Sequence, residues 1–563
     1  MIKKKFVPKW TEVAPPKGSY RSVFKYGDPH TFKHPSAKWY EMIKEEFSMT
    51  DEDFRTKKDQ GLGSVALNRP AALESHHRER FEAIVGKENV TSDDYSRVKY
   101  ALGKTTEEMM ELRKGIVNQV ADLVVHPRTA EDVQHIVAYC NENSIPVYAF
   151  GAGSSVNFGV RPEKGGISLV MSTHMNKVLE VNEANQTARV QPGLYGPAYE
   201  EALHRAPELF HTNQRYTCGH FPQSFEYSTV GGWIVTLGSG QASSYYGDAC
   251  DLVISQEYVT PVGTIKTHDY PASATGPKVN DIMKGSEGTY GILVEATMKV
   301  YRYMPGNTRR FSFMFPTWEA AVNASREICQ GEFGMPAIFR ISDPEETERG
   351  LKLYGMPGFV DAFLKGKGFR PMQRCLCLGS AEGETAFTRN IERQAKRICK
   401  EFGAMSLTGY AAKKWEHTRF KEPYMREDLM DFGVVIDTLE CSVKWDNLHA
   451  VHQGVREYIK SRPATMCMTH ASHFYPQGTN LYFIFLAKMD DLDEFRTFQR
   501  GIIDHINKCG GSLSHHHGIG RMIAPWIGAY LGPEQMAVLR ALKRHFDPNN
   551  IMNPGGQLGL DLE

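Results

Sequence analysis

Three consecutive histidines, in Ser514-His515-His516-His517-Gly518, are the most unusual chemical feature of the chain. Imidazole accepts a proton near neutral pH and can also donate hydrogen bonds to a phosphate. Three histidines also raise the question of a metal. Neighbouring side chains on a strand point to opposite faces, so all three could not easily bind one ion, and no Asp, Glu or Cys stands at ligand spacing nearby. No metal is expected; the favoured reading is imidazoles lining an anion pocket, against a polar loop without chemistry. Tyr482, in GTNLYFIF, lies on an apolar strand, where a tyrosine is usually core with a satisfied hydroxyl. Arg426, in KEPYMREDLMDFG, has acidic neighbours and by itself reads as a surface ion pair. Arg340, in AIFRISDP, is either a buried arginine that needs a partner or a strand-end surface residue. His470 and His473, in MTHASHFYPQG, add imidazoles suited to take a hydroxyl proton.

Three glycine-rich stretches could receive a planar, phosphate-bearing cofactor. In VYAFGAGSSVNFG (147–159) a strand runs into Gly151-Ala152-Gly153-Ser154-Ser155. Small residues let the backbone approach a ligand, and successive N–H groups can form a nest for a pyrophosphate; a tight turn between strands is the plain alternative. No third glycine stands at GxGxxG spacing and no long helix follows, so this is not the dinucleotide fingerprint. PQSFEYSTVGGWIVTLGSGQASSYYGDACDLV (222–253) sets glycines among hydroxyl residues and can lie flat against a planar ring system or serve as a structural loop. MKGSEGTYGILVEATMKV (283–300) places Gly285 to Thr289 before a strand and reads by itself as a β-turn.

These residues need elements to hold them. Ala121–Val125 and Pro146–Phe150 read as short strands around an amphipathic helix over Thr129–Asn143 with a threonine cap. GGISLVMS, KVLEVNEANQTARVQPG and LVISQEYVTPVGTIKT read as strands and hairpins, so 117–303 is predicted to be an α+β domain. From 304 to 505 strands and helices alternate, which predicts a separate substrate-side sheet domain. In NLYFIFLAKMD, Leu481, Phe483 and Phe485 face one side and Tyr482, Ile484 and Leu486 the other, with both faces buried. Residues 506–563 form a C-terminal segment with the histidine loop, and the polar, helix-leaning residues 1–116 form an N-terminal helical extension.

The bulk numbers exclude more than they assign. The 563 residues allow a large core. Lys+Arg and Asp+Glu are both 66, so no global field draws the chain to nucleic acid and any anion must be held by a local pocket. The cysteines form no CxxC pair and read as free buried thiols of a reducing cytosol. MIKKKFVPKWTEV lacks an apolar signal region, no run approaches a membrane span, and the final Asp-Leu-Glu is not a peroxisomal address. A cytoplasmic location is expected, with peripheral membrane contact left open.

Taken in order, the three glycine-rich segments, with DLVVHPRTAEDVQHIVAYCNENSIPVYAFGAGSS as an opening βαβ unit, resemble the FAD domain of the vanillyl-alcohol oxidase superfamily. The resemblance implies an α+β fold: a two-subdomain PCMH-type FAD-binding domain, then a substrate (cap) domain with an antiparallel sheet and flanking helices. FAD is taken as noncovalent, since nothing selects a histidine for attachment. Gly151, Ala152, Gly153, Ser154 and Ser155 would hold the pyrophosphate. Pro222, Ser224, Ser228, Thr229 and Gly232 would line the isoalloxazine and ribityl region. Glu287 and Thr289 would belong to the adenine-side wall.

Further on, YMRE…DFGVVIDTLECSVKW, YPQGTNLYFIF, GGSLSHHHGIGR and HFDPNNIMNP resemble the alkyldihydroxyacetonephosphate synthase family over roughly 424–554. That family exchanges the acyl group of acyl-dihydroxyacetone phosphate for a fatty alcohol in ether lipid synthesis. Its flavin N5 forms a covalent adduct with the substrate carbon, so FAD is a covalent catalyst rather than an electron carrier. Carried over, Arg426 binds the phosphate, Tyr482 is the acid/base, and His516 and His517, with His515 beside them, belong to the active-site loop. Tyr482 would need a lowered pKa, which neighbouring histidines or Arg426 could supply. Arg340 matches an arginine near the flavin, and His470 would be on the substrate side. The chain departs from the family at Leu237, where an arginine is common, and at His470, where the eukaryotic enzymes have an arginine. The competing expectation is an FAD-linked oxidase or dehydrogenase of a hydroxy acid or alcohol. A small-molecule or lipid substrate, a homodimer and no nucleic-acid partner complete the reading.

Overall fold

The computed structural model describes residues 6–560. β1 (Val90–Thr91), β2 (Leu123–Val125), β3 (Val147–Phe150) and β4 (Ile167–Val170) form a small sheet in the order β1-β2-β4-β3, in which β4 runs parallel to both β2 and β3. The helix between β2 and β3 is Ala130–Glu142. Thr129 caps it by accepting the Asp132 N–H at 3.1 Å, a cap worth about 1 kcal/mol. Val133, Ile136, Val137 and Cys140 recur at helical spacing and bury in one core with Leu123, Val125, Val147, Ile167 and Leu169 of the sheet. The chain returns late to this sheet: Val147 bridges Met552.

A second, wholly antiparallel sheet comprises β5 (Val178–Asn182), β6 (Thr187–Val190), β8 (Val253–Thr260), β9 (Gly263–Lys266) and β10 (Ile292–Lys299), ordered β5-β6-β10-β8-β9; β7 (Tyr216–Thr217) pairs with β11 (Tyr301–Arg302) apart from it. The third sheet is 7-stranded and antiparallel throughout. Its strands are β12 (Arg309–Phe315), β13 (Ile338–Ser342), β14 (Cys375–Ala381), β15 (Met405–Leu407), β16 (Val434–Lys444), β17 (Thr465–Tyr475) and β18 (Gly478–Lys488), ordered β15-β12-β14-β13-β17-β18-β16. The α+β fold, a two-sheet cofactor region followed by a cap with an antiparallel sheet and flanking helices, is the one expected.

Alternation decides what each face of the third sheet does. Phe311, Phe313, Phe339, Cys377, Leu481 and Phe483 join one core with residues of helices Trp318–Gln330, Thr385–Glu401, Leu448–Ser461 and Leu492–Lys508. The residues between them, including Met314, Arg340, Leu376 and Tyr482, point the other way and line a cavity.

The N-terminal stretch is woven into this frame. Arg21 and Arg113 both pair with the fully buried Asp431, at 2.8 and 2.6 Å. Helix Ala37–Glu46 buries Trp39, Tyr40, Met42 and Ile43 in a core shared with Met425, Leu429, Met466 and Leu486. A buried carboxylate holding two arginines is strongly unfavourable to break, because removing one partner strands a charge.

Candidate active site

One cavity of about 1010 Å³ joins the cofactor region to the open face of the third sheet. At one end, Gly151, Ala152, Gly153, Ser154 and Ser155 follow β3 and line it, as do Pro222, Ser224, Ser228, Thr229 and Gly232. Gly153 has φ +67, and a Cβ there would meet the Phe150 ring at 2.4 Å; a Cβ on Gly151 would meet Thr229 Oγ1 at 2.4 Å. Among the described residues, the N–H groups of Ala152 to Ser155 donate to no acceptor in the protein. Free N–H groups on a loop without bulky side chains fit a pyrophosphate, and Thr229, which caps helix Val230–Val235, sets the second glycine-rich loop beside it. Glu287 also lines the cavity, at φ +46, and accepts the N–H groups of Ile519 (2.7 Å) and Gly520 (2.8 Å). Burial raises its carboxyl to about 7. Thr289 does not line the cavity: it is buried behind Glu287, where its carbonyl accepts from Lys543, which corrects its expected place on the adenine-side wall.

At the other end the register of four strands aligns a row of side chains. Ser342, His470, Tyr482 and Glu440 are directly opposite one another across β13, β17, β18 and β16. The Tyr482 ring stacks between His470 (centroids 4.9 Å apart, 24° between planes) and His516 (6.0 Å, 12°). Its hydroxyl donates to Thr438 Oγ1 at 3.0 Å. Arg340 bonds Glu346 and lies 3.1 Å from His470 Nδ1, which is also 3.1 Å from Glu346. A bulge in β17 between Ser472 and Phe474 puts His473 at φ +54 and turns it into the cavity.

The three histidines sit on a loop, not a strand, and Glu440 organises it. This buried carboxylate accepts the N–H groups of His515 (2.7 Å), His516 (3.1 Å) and His517 (3.1 Å), the Ser514 hydroxyl (2.7 Å) and the Asn480 amide (3.0 Å). Burial works to raise the Glu440 carboxyl, but His517, His515 and these bonds outweigh it and hold it below its ordinary value. His516 and His517 line the cavity; His515, expected with them as a catalytic residue of the loop, does not line it but bonds Tyr475 (2.7 Å) and His516 Nδ1 (3.0 Å). Residues 515–517 form a bend rather than the strand expected, so alternation does not hold their side chains apart. Ligand atoms of His473, His515 and His516 lie within 4.8 Å of one another, a spacing able to hold an ion.

The charge states differ from the expectation. Burial pushes the Tyr482 phenol up to about 12, further raised by Glu440 and Asp437, rather than down. Burial and neighbouring imidazoles lower His473 and His516 well below the ordinary value, and burial lowers His517 and His470. At neutral pH the phenol keeps its proton and these imidazoles are neutral.

Arg426, on the short helix Met425–Met430, makes no carboxylate bond of the surface kind. It donates to Lys104 O (3.1 Å) and Thr106 Oγ1 (2.7 Å), and Thr106 donates to the buried Asp437 (2.9 Å). Lys104, Tyr26, Glu346 and Asp437 line the same space and carry no sequence signature of their own. Leu237 lies off the cavity, at φ +54 and 42% exposed. Beyond Arg340 the cavity becomes apolar between β12, β14 and β15 and the helices Pro344–Leu353 and Gly358–Gly366, lined by Met314, Leu351, Val360, Leu364, Leu376 and Met405.

Comparison with known proteins agrees with this anatomy. Residues 121–269 match the family described as FAD binding domain, and residues 304–556 the one described as FAD linked oxidases, C-terminal domain. An alkyldihydroxyacetonephosphate synthase of Dictyostelium discoideum is 33% identical over 488 residues, covering 83% of this chain and 78% of that protein. Glycolate oxidase subunit GlcD of Bacillus subtilis is 25% identical, covering 86% and 97%. A solved alkyldihydroxyacetonephosphate synthase superposes with a TM-score of 0.79 at 27% identity, covering 94% of this chain and 98% of that one. The chain is an FAD-binding enzyme and belongs to the alkyldihydroxyacetonephosphate synthase family.

Proposed function

We propose that the chain exchanges the acyl group of an acyl-dihydroxyacetone phosphate for a long-chain fatty alcohol, forming the ether bond and releasing the fatty acid. The supporting observation is one continuous cavity that joins a cradle fit for FAD, a cluster of arginine, tyrosine and histidine side chains, and a long apolar arm. A small hydroxy acid has no use for that arm; an alkyl chain does. When bound, the flavin supplies the centre through which the substrate carbon changes its oxygen partner without net oxidation. Arg426 holds the phosphate. Tyr482, protonated at rest, would give its proton to the departing carboxylate and regain one from the incoming alcohol, while the neutral His516 and His517 would take the proton from carbon and return it once the new C–O bond is made. Glu440 keeps both imidazoles in place through their backbone N–H groups.

The test is incorporation of a labelled long-chain alcohol into an ether product, under anaerobic conditions and without an electron acceptor. Bleaching of the flavin by a hydroxy acid or alcohol, with recovery in air and no label incorporated, would establish the oxidase reading instead.

Membrane contact is part of the same proposal. Phe359 (78% exposed) and Phe363 (54%) stand four residues apart on one face of Gly358–Gly366, the helix that closes the apolar arm, with Lys365, Lys367 and Arg370 following. Co-sedimentation with anionic vesicles should be lost in a Phe359→Ser, Phe363→Ser variant. Among the described residues no helix is long and apolar enough to cross a membrane.

A further inference from the structure

Three polar groups around Arg426 lack the partners their burial calls for. The Arg426 Nε is buried without a hydrogen-bond acceptor, and so is the hydroxyl of Tyr26, a residue only 6% exposed. Lys104 forms no ion pair among the described residues; its ammonium donates to the Val23 carbonyl, and the nearest acids, Glu427 and Glu108, are committed elsewhere. Glu427 accepts the Tyr26 N–H (2.6 Å) and pairs with Lys25 (3.4 Å), while Glu108 closes the capping box with Thr105. Burial lowers the Lys104 ammonium to about 8, the sign of a cation whose counter-charge is missing. All three residues line the cavity.

The backbone holds them together. The Lys104 N–H donates to Ser155 O at 2.7 Å, at the end of the glycine loop, and the Lys104 carbonyl accepts from Arg426 at 3.1 Å. Gly103 permits this approach, since a Cβ there would meet Ser155 O at 2.4 Å. A half-buried cation pair with no carboxylate beside it is costly to hold unless an anion completes it. A phosphate dianion supplies two charges and enough oxygens for a guanidinium edge, an ammonium and a phenol hydroxyl.

We infer that Lys104 and Tyr26, both from the N-terminal stretch, form with Arg426 the socket for the phosphate group of the substrate. The inference rests on the proposed function and adds two residues to it. Lys104 supplies a point charge, Tyr26 a hydrogen bond from its hydroxyl, and Arg426 the directional edge. The N-terminal stretch is thereby a wall of the active site.

The test uses FAD-loaded enzyme and calorimetric titration with dihydroxyacetone phosphate and with dihydroxyacetone. Wild type should prefer the phosphorylated ligand. Lys104→Gln should weaken dihydroxyacetone phosphate about 10- to 100-fold, the scale of one charge-assisted bond, and leave dihydroxyacetone and FAD content unchanged. Lys104→Arg should restore most of the loss, and Tyr26→Phe should cost about 3- to 10-fold for the phosphorylated ligand alone. In turnover, Lys104→Gln should raise KM more than it lowers kcat. Equal affinity in Lys104→Gln and wild type overturns the inference, as does an equal loss for both ligands or a loss of FAD with phosphate preference intact. Absence of any phosphate preference in wild type overturns the proposed function itself.

Discussion

At the flavin end of the cavity the protein offers backbone: the free N–H groups of Ala152 to Ser155 and two glycines whose missing Cβ atoms leave room. At the substrate end it offers side chains, set in a row by the register of β13, β17, β18 and β16. The first arrangement depends on space alone: at Gly151 and Gly153 even a Cβ enters a neighbour, whatever chemistry the side chain carries. The second depends on chemical identity, because Tyr482, Glu440 and His470 differ from their nearest isosteres by a proton or a charge. The two ends should therefore fail in different ways.

The largest separation should come from Tyr482→Phe. Turnover should fall by about 10²- to 10⁴-fold, with FAD content and melting temperature near wild type, measured by label incorporation and flavin absorbance. Gly153→Val should do the reverse. Its Cβ would enter the Phe150 ring at a left-handed backbone position, and purification should yield protein with little bound FAD. Catalysis lost with the flavin retained would break the comparison. Glu440→Gln should lower turnover about 10- to 100-fold by loosening the 514–517 loop while sparing FAD, since one amide oxygen accepts fewer of the five bonds and its NH₂ faces N–H donors. The smallest effect concerns Glu346. Burial opposes its ionisation, but His470 and Arg340 outweigh it and hold the carboxyl at about 2. A depressed carboxyl stabilises the fold fully above its unfolded value and loses that contribution as pH falls towards 2. Glu346→Gln should thus cost roughly 1–3 kcal/mol more at pH 7 than at pH 3 in denaturant titrations. An equal cost at both pH values would show that the Glu346 carboxyl is not ionised.

The same contrast explains what the sequence discloses. The glycine loops are visible because a left-handed or crowded backbone restricts residue choice locally, but Gly151 to Ser155 alone read equally as a tight turn, and only the three segments in order give them a cofactor role. The strand at Leu481 to Leu486 is legible because both faces carry large apolar residues in alternation. Arg426, Tyr482 and the histidines carry no decisive local signal; the resemblance to a family selected them. Lys104, Tyr26 and Glu440 carry no local signal because their environment is made by residues about 40 to 400 positions away in the chain. Nothing near Lys104 in sequence reveals that its neighbour in space is Arg426. The direction of the Tyr482 shift is hidden for a related reason: the sequence displays the nearby cations, but not the burial and the facing Glu440 and Asp437 that raise the phenol.

The pairing of Arg21 and Arg113 with Asp431 has a consequence in time. Arg113 emerges from the ribosome 318 residues before the carboxylate that neutralises it, an interval of roughly 15 to 60 s at ordinary elongation rates. Until then two arginines destined for a dry interior have no counter-charge, and the wall that carries Tyr26 and Lys104 cannot lock. The glycine cradle waits longer still: β3 gains its bridge to Met552, and Glu287 the N–H groups of Ile519 and Gly520, only when the last residues are made. Cofactor cradle and substrate wall are therefore both closed by the late chain, and neither end of the cavity is finished before the C-terminal segment docks.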